Sequence, residues 1–359
     1  MIEWQPIRLD SIFQEFVRGK VSSVIDETKD PNGIPYVGAT TRNNGVLDFL
    51  VSDTEKKQRG NCIVFIRDGQ GSVGLSVYRS TPFIATVNTS SGYSNWLNKY
   101  NGIFVSVSSN QVRVKYSFGY KRKEERLLSE KIMLPVNKND KPDYSFMTKF
   151  IKEKQDELLL RYSDFCGKQI SKVKYKVIPL LEEKEWKDYS ITSLFNTLIA
   201  GKGKGLNHLH KTKESGISYI GATNRNNGVL CFVSEDDSSL KMLLPGNCIG
   251  FIKNGDGSAG FAIYKAESFV STSDVIYGYS NWLNKYTGLF FVAAQDMIEH
   301  KYSHGYKRNR QHLKGDRVML PADSDGNPDF KYMEQYAKNM MLKKYTQYLS
   351  FLERKEQKQ

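Results

Sequence analysis

Two short clusters of basic, amide and phenol side chains occur in this sequence, and each cluster occurs twice. One joins an arginine to an Asn-Asn-Gly run, and the other is a Gly-Tyr-Lys-Arg segment. Such side chains donate hydrogen bonds to the phosphates and sugars of nucleic acids. We therefore predict phosphate contact, or a role in the frame beneath it, for Arg42, Asn43, Tyr120, Lys121, Arg122, Arg225, Asn226, Tyr306, Lys307 and Arg308. Simpler interpretations stay open, because Asn-Gly pairs often form type I′ turns and basic clusters often face solvent.

These clusters belong to a duplication that runs along the whole chain. Residues 38–46 (GATTRNNGV) return at 221–229 (GATNRNNGV), 183 positions later. Residues 92–100 (GYSNWLNKY) return unchanged at 278–286, 186 positions later. A period this long exceeds that of solenoid repeats, which run roughly 20–50 residues. We therefore predict two similar domains, as the length of 359 residues also suggests.

Positions at which the two copies differ are candidates for choosing a base sequence. The copies diverge most at 21–32 against 203–215 and at 87–91 against 273–277. The second copy has Glu299 where the first has Arg113, and this reversal of charge would change the preferred base edge. We predict base-reading roles for Asn88, Thr89, Ser90, Gln111, Arg113, Arg126, Ser273, Asp274, Glu299, Arg310 and Gln311.

The elements that must position these residues can be read from composition and spacing. After an opening strand and short helix at Trp4, runs rich in β-branched and aromatic residues predict strands at 62–66, 73–78, 83–87, 103–107 and 112–116. Asp143 and Asp329 then precede apolar residues spaced by three, four and seven, which predicts two capped amphipathic helices, the first ending near Gly167.

The predicted fold class is α+β, with strand-rich domains at 1–143 and 185–329. A central helix and linker occupy 144–184, and a C-terminal helix occupies 330–359. We expect the two helices to pair as an antiparallel coiled coil with pseudo-twofold symmetry. The alternative is that each helix only covers its own domain.

No catalytic or metal-binding constellation is predicted. Two Gly-x-Gly-x-x-Gly runs, at 69–74 and 255–260, have strand-like residues on both sides, which favours hairpin turns over a dinucleotide site. The chain has no Pro-Pro pair of the kind that amino-methyltransferases carry, and Asp143 with 182–184 matches a nuclease motif only by coincidence. His208 and His210 lie in a loop, and His300 and His304 in a strand-like region, without further ligands nearby.

Charge and cysteine usage narrow the partner and the compartment. The net charge of +13 favours a polyanionic partner such as nucleic acid. Four cysteines without a Cys-x-x-Cys pair predict neither a disulfide framework nor a zinc site, and Cys62 and Cys248 are expected to be buried strand residues. No apolar stretch approaches a membrane span, and the first residues lack the pattern of a secretory signal, so we expect a cytoplasmic protein.

The ordered motifs resemble a known family. Each copy opens with Trp and carries GIPYVGAT…NNGV (33–46) or its equivalent, then GNCI…GxGSxG, MLP…PD and a long helix. This order is similar to the DNA specificity (S) subunits of type I, and of some type IIB, restriction–modification systems, and it covers essentially the whole chain.

The resemblance implies two target recognition domains, each reading one half of a split double-stranded DNA site. It implies that paired helices set the spacing and bind modification subunits, which carry S-adenosylmethionine, with a restriction subunit or a fused nuclease as a further partner. No cofactor on this chain, no catalytic role and no membrane partner are implied, and the compartment is the prokaryotic cytoplasm. The alternatives are a stand-alone nucleic-acid enzyme and an RNA-binding scaffold.

Overall fold

The computed structural model describes residues 2–22, 29–40, 42–51, 55–69, 71–117, 119–203, 205–213, 215–255, 257–303 and 305–356. The chain divides into two compact units, Met1–Tyr162 and Ser163–Gln359. Residues 23–28, 204 and 214 of the segments that differ between the copies lie outside the described part, as does His304.

The first unit is built from short strands. In chain order they are β1 (Glu3–Arg8), β2 (Glu15–Arg18), β3 (Lys29–Val37), β4 (Val46–Leu50), β5 (Lys57–Gln58), β6 (Cys62–Ile66), β7 (Ser76–Arg79), β8 (Phe83–Ala85), β9 (Thr89–Tyr93) and β10 (Lys131–Val136). They form two four-stranded sheets, ordered β2-β9-β6-β7 and β4-β3-β8-β5, and an antiparallel pair of β1 with β10. The helices are α1 (Leu9–Ile12), α2 (Lys99–Gln111), α3 (Glu124–Leu128) and α4 (Tyr144–Ile170), and 3-10 turns occupy Arg42–Gly45 and Val112–Lys115.

The second unit repeats this order with two differences: two strands stand where the first unit has β3, and a short helix, not a strand, lies between the counterparts of β4 and β6. Its strands are β11 (Trp186–Ser190), β12 (Thr197–Ala200), β13 (Lys211–Thr212), β14 (Ile217–Ile220), β15 (Val229–Val233), β16 (Cys248–Ile252), β17 (Ala262–Lys265), β18 (Phe269–Ser271), β19 (Val275–Tyr279) and β20 (Arg317–Pro321). The sheets are β12-β19-β16-β17, β13-β15-β14-β18 and β11-β20. The helices are α5 (Asp237–Leu240), α6 (Lys285–Gln295), α7 (Arg310–Gly315) and α8 (Phe330–Glu356). Short 3-10 turns occupy Leu181–Glu183, Ile191–Leu194, Leu206–His208, Arg225–Gly228 and Asp296–Lys301.

Both glycine-rich runs turn hairpins, as predicted. They connect β6 to β7 and β16 to β17, and each pair is antiparallel. Gly71 and Gly74 have φ of 70° and 85°, a region in which L side chains are strained. The Asn-Gly turns are also confirmed, because φ is 55° and 81° at Asn44 and Gly45, and 51° and 79° at Asn227 and Gly228.

The predicted strands at 103–107 and 112–116 are wrong, since these residues form α2 and a 3-10 turn. Asn98 accepts hydrogen bonds from the backbone of Tyr100 and Asn101, while Asn101 bonds back to the Asn98 amide, so a capping box starts the helix. Gly102 lies against the Tyr78 ring, where a Cβ would come within 2.4 Å, so the helix packs closely on β7. The strand-like region expected around His300 is likewise a 3-10 turn.

The two long helices begin as predicted. Asp143 accepts a hydrogen bond from the Phe146 amide (2.9 Å), and Asp329 accepts one from Tyr332 (2.9 Å). Both α4 and α8 have 27 residues, and α4 ends at Ile170 rather than near Gly167. Their first residues stack on domain tryptophans, Trp96 on Tyr144 and Trp282 on Phe330, with ring centroids 4.1 and 4.5 Å apart.

Candidate nucleic-acid interface

In the first unit, the Gly-Tyr-Lys-Arg segment packs against the β6–β7 hairpin tip. The Arg122 amide donates to the Arg67 carbonyl (3.0 Å). Lys121 forms an ion pair with Asp68 (2.5 Å), and the Arg113 guanidinium donates to the Gly71 carbonyl (2.8 Å). These contacts join one tip and one basic segment into a single surface.

Arg122 and Arg308 are buried, so of the two roles predicted for them, phosphate contact or frame, their burial favours the frame. Both side chains have 0% exposed surface. Arg122 pairs with buried Glu130 and donates to Ser109 (2.9 Å), while Arg308 pairs with buried Asp316 (2.8 Å). A buried charge is tolerated when it is paired and hydrogen-bonded, so these arginines serve the frame rather than DNA.

The Arg308–Asp316 pair of the second unit has the same arrangement as the pair in the first unit, but different residue types surround it. Arg308 donates to the Gln295 side chain (2.6 Å), where the first unit has Ser109. Tyr302 donates to Asp316 (2.7 Å), and burial together with this contact raises the pKa of Tyr302 well above its usual range. The phenol therefore stays protonated as a donor.

The tyrosine and lysine of each segment remain exposed above this frame. Tyr120 and Tyr306 are 47% and 51% exposed. The Arg126 guanidinium lies 3.8 Å from the centre of the Tyr120 ring, while His312 stacks on Tyr306 at 4.4 Å. Arg126 also donates to the Lys121 carbonyl (2.7 Å), so this predicted base reader braces the tyrosine. Lys121 and Lys307 are exposed.

The turn from β8 to β9 contacts the base of the hairpin tip, but only some of its predicted base-reading residues are exposed. Asn88 is exposed and its carbonyl accepts from the Arg67 amide (2.8 Å). Thr89 and Ser90 are 0% and 2% exposed and pair with neighbouring strands, so their base-reading assignment is corrected. In the second unit Ser273 is exposed, and the half-buried Asp274 takes the position of Asn88.

Other predicted residues are dispersed. Gln111 lines an apolar cleft with Trp4 and Met133. Glu299 lines a cleft of about 600 Å³ beside the second tip, with Tyr302 and Lys307.

Arg310 is exposed and its guanidinium donates to the Leu198 carbonyl (3.4 Å). Gln311 is exposed on α7.

The Asn-Gly turns present Asn43, Arg225 and Asn226 to solvent. Arg79 donates to the Asn44 carbonyl from beneath the first turn, and Asn227 donates to the Tyr264 carbonyl (2.9 Å) in the second. The side chain of Arg42 lies outside the described part of the chain.

No group of three or more His, Cys, Asp or Glu side chains in the described ranges could hold a metal ion. As predicted, Cys62 and Cys248 are buried strand residues, and burial raises their pKa to about 11 and about 12. Within the same ranges, no helix combines the length and apolar character that crossing a membrane requires.

One protein-family model, that of the type I restriction modification DNA specificity domain, matches residues 1–160 and 183–349. The chain belongs to this family. The expected restriction–modification specificity subunit is thereby confirmed, and its function is recognition of a DNA sequence. The specificity subunit of the type II restriction enzyme BgcI (S.BcgI) from Heyndrickxia coagulans is 25% identical over 351 residues, or 95% of each chain.

Two solved structures match this specificity subunit over nearly its whole length. The S subunit of a type I system from M. genitalium is 15% identical, covers 98% of this chain and 92% of its own, and has a TM-score of 0.47. The HsdS subunit from Thermoanaerobacter tengcongensis is 9% identical, covers 98% and 91%, and has a TM-score of 0.32.

Two cations beside the β8–β9 turn of the specificity subunit were missed from the sequence. Arg18 ends β2, and its Nε donates to the Val87 carbonyl (3.2 Å). Arg67 follows β6 at the root of the hairpin tip, where the second unit has Lys253. A basic residue at the same point of both copies was the signal that could have revealed this position.

An apolar groove in each unit was also missed. In the second unit it has a volume of about 700 Å³, and in the first about 360 Å³. Trp186 and Met319 line one, and their counterparts Trp4 and Met133 line the other. Met133 and Met319 are 48% and 49% exposed. Exposed apolar surface of this kind marks protein interaction sites.

Proposed function

We propose that this chain reads a split double-stranded DNA sequence, with one half read by each unit. The observation that supports this proposal is that the two units share the same buried frame but carry different side chains on the surface above it. The buried pairs Arg122–Glu130 and Arg308–Asp316 support equivalent hairpin tips. Above them, the β8–β9 turn offers Asn88, whereas the β18–β19 turn offers Asp274. An amide and a carboxylate favour different base edges in the major groove.

The long helices are proposed to set the distance between the half-sites by pairing as an antiparallel coiled coil. Each has 27 residues, or roughly 40 Å at the rise of an α-helix. One turn of DNA is about 34–36 Å, so the lengths agree. Leu158 on α4 is 61% exposed, and Phe165, seven residues later on the same face, contacts Tyr345 of α8 with ring centroids 6.0 Å apart, so this face offers a seam for such pairing.

The chain is proposed to carry no catalytic site and no cofactor of its own. Modification subunits would bring S-adenosylmethionine and methylate adenine, and the complex would act in the prokaryotic cytoplasm. Because S.BcgI is named as part of a type II restriction enzyme, we favour a partner in which nuclease and methyltransferase are fused. A separate restriction subunit would indicate a type I system instead.

The paired apolar grooves support two docking sites for this partner. Met133→Asp and Met319→Asp would each place a charge in one groove, and we expect each to weaken co-purification of the modification subunit. Lys149→Met, on the exposed face of α4, is the matched control, because Lys149 is 77% exposed. Undiminished co-purification by both groove variants would contradict this docking.

The DNA function is tested by selecting from a pool of random duplexes with the purified full chain. We expect two short motifs separated by a fixed unspecified spacer. Duplex RNA should compete poorly, and the chain alone should neither methylate nor cleave DNA. Effective competition by RNA would favour the RNA-binding scaffold, and methylation or cleavage by the chain alone would favour a stand-alone enzyme.

A further inference from the structure

Arg67 has enclosed hydrogen-bond donors that the fold leaves unused. Its Nε and Nη1 are buried without a hydrogen-bond partner among the residues that the structure describes. Its backbone is fixed on both sides, since the amide donates to Asn88 (2.8 Å) and the carbonyl accepts from Arg122 (3.0 Å). Buried donors without acceptors are destabilising, and each one calls for an explanation.

A second guanidinium lies close to the first. Arg18 donates to the Val87 carbonyl (3.2 Å), and its backbone pairs with Ser90, so it flanks the same β8–β9 turn. Burial, together with repulsion from Arg18, lowers the pKa of Arg67, and the nearby Glu124 opposes this effect. Two cations around one exposed turn would be stabilised by an acceptor-rich ligand.

The second unit keeps the geometry of this cluster but not its chemistry. The Lys253 amide donates to the Asp274 carbonyl (2.9 Å), and the Lys253 carbonyl accepts from Arg308 (3.0 Å), as at Arg67. The residue that ends β12 is Ala200, where β2 ends in Arg18. The second unit thus has the ammonium of Lys253 and the carboxylate of Asp274. The first unit has the guanidinium groups of Arg67 and Arg18 and the amide of Asn88. A contact to the uniform DNA backbone would give no reason for this divergence, whereas a contact to base edges would.

We propose that Arg67, supported by Arg18, binds a guanine in the half-site read by the first unit. The guanidinium fork of arginine matches the O6 and N7 acceptors of guanine, the commonest specific pairing in the major groove. This inference rests on the proposed function of the chain as a reader of split DNA. In the second unit, Asp274 would accept from a base amino group instead.

The test compares the full chain with Arg67→Met and Arg67→Lys by selection from random duplexes. We expect Arg67→Met to lose roughly tenfold preference for guanine at one position of one half, with the other half unchanged. Arg67→Lys keeps the charge but not the fork, so it should lose preference while retaining non-specific binding. Lys149→Met should change neither half.

Other outcomes separate the possible failures. A uniform loss of affinity by Arg67→Met, with unchanged sequence preference and a salt slope shallower by about one, would assign Arg67 to a phosphate and overturn the proposal. If the substitutions unfold the chain, N7-methylation interference on the unaltered protein decides. Methylation of at least one guanine in the half-site read by the first unit must then block binding. The absence of such a guanine from that half-site would overturn the proposal. If the unaltered chain selects no motif, the proposed function itself fails.

Discussion

Asp296→Asn replaces an acidic side chain by the amide that the first unit carries at the equivalent position. Asp296 Oδ1 accepts a hydrogen bond from the Ala262 amide (2.8 Å), as Asn110 Oδ1 does from Ser76 (2.6 Å). Burial raises the pKa of Asp296 from 3.8 to about 6, more than the Ala262 amide and Arg308 lower it. Between these two pKa values, the carboxyl group of Asp296 is therefore protonated in the folded state and ionised in the unfolded state.

The sign of the effect on stability follows from this difference in proton binding. The contribution of Asp296 is fully present below about pH 4 and is lost as the pH rises through about 6. In a fully buried site a pKa change of this size would correspond to roughly 3 kcal/mol. Asp296 is half-buried, so screening reduces the expected loss to about 1 kcal/mol.

Thermal unfolding at pH 4 and pH 8 tests this expectation. The variant keeps the acceptor but no charge, so its Tm should exceed that of the unaltered chain by about 3 °C at pH 8 and by little at pH 4. Asn110→Asp, the reverse exchange in the first unit, should lower Tm at pH 8. A gain for Asp296→Asn that is the same at both pH values, or a loss at pH 8, would refute the reasoning.

Three further predictions concern the frame, the phosphate contacts and the spacer. Glu130→Gln leaves buried Arg122 without its counter-charge, so the free energy of unfolding measured in urea should fall by about 3–5 kcal/mol, and an unchanged value would remove Arg122 from the frame. Lys121→Met should reduce the salt slope of DNA affinity by about 0.9 without altering the selected motif, and an altered motif would make Lys121 a base reader. Inserting four residues into both α4 and α8 adds about 6 Å to each helix, so the spacer should lengthen by about two base pairs. An unchanged spacer would mean that the helices do not set it.

Features of the fold with a strong local cause were predictable from the sequence. The hairpins at the glycine runs and the Asn-Gly turns follow from positive φ values that few residues adopt. The starts of α4 and α8 follow from Asp143 and Asp329, whose side chains accept from the first turn. The duplication and its family resemblance identified the specificity subunit.

Features decided by tertiary packing were not predictable in the same way. Residues 103–107 have strand-like composition, yet the Asn98 capping box and the contact of Gly102 with Tyr78 make them helical. The residues next to Arg122 in the sequence do not show that it is buried. Its burial depends on the ion pair with Glu130, which the chain brings close only after an intervening helical turn. The importance of Arg67 likewise depends on which neighbours enclose it.

The central claim is that each unit reads its own half of a split DNA site. The most direct measurement exchanges residues 87–91 for 273–277 in the full chain and determines the motif selected from random duplexes. We expect one half of the motif to change while the other half and the spacer stay the same. A change in both halves, or a change in affinity with the same motif, would contradict it.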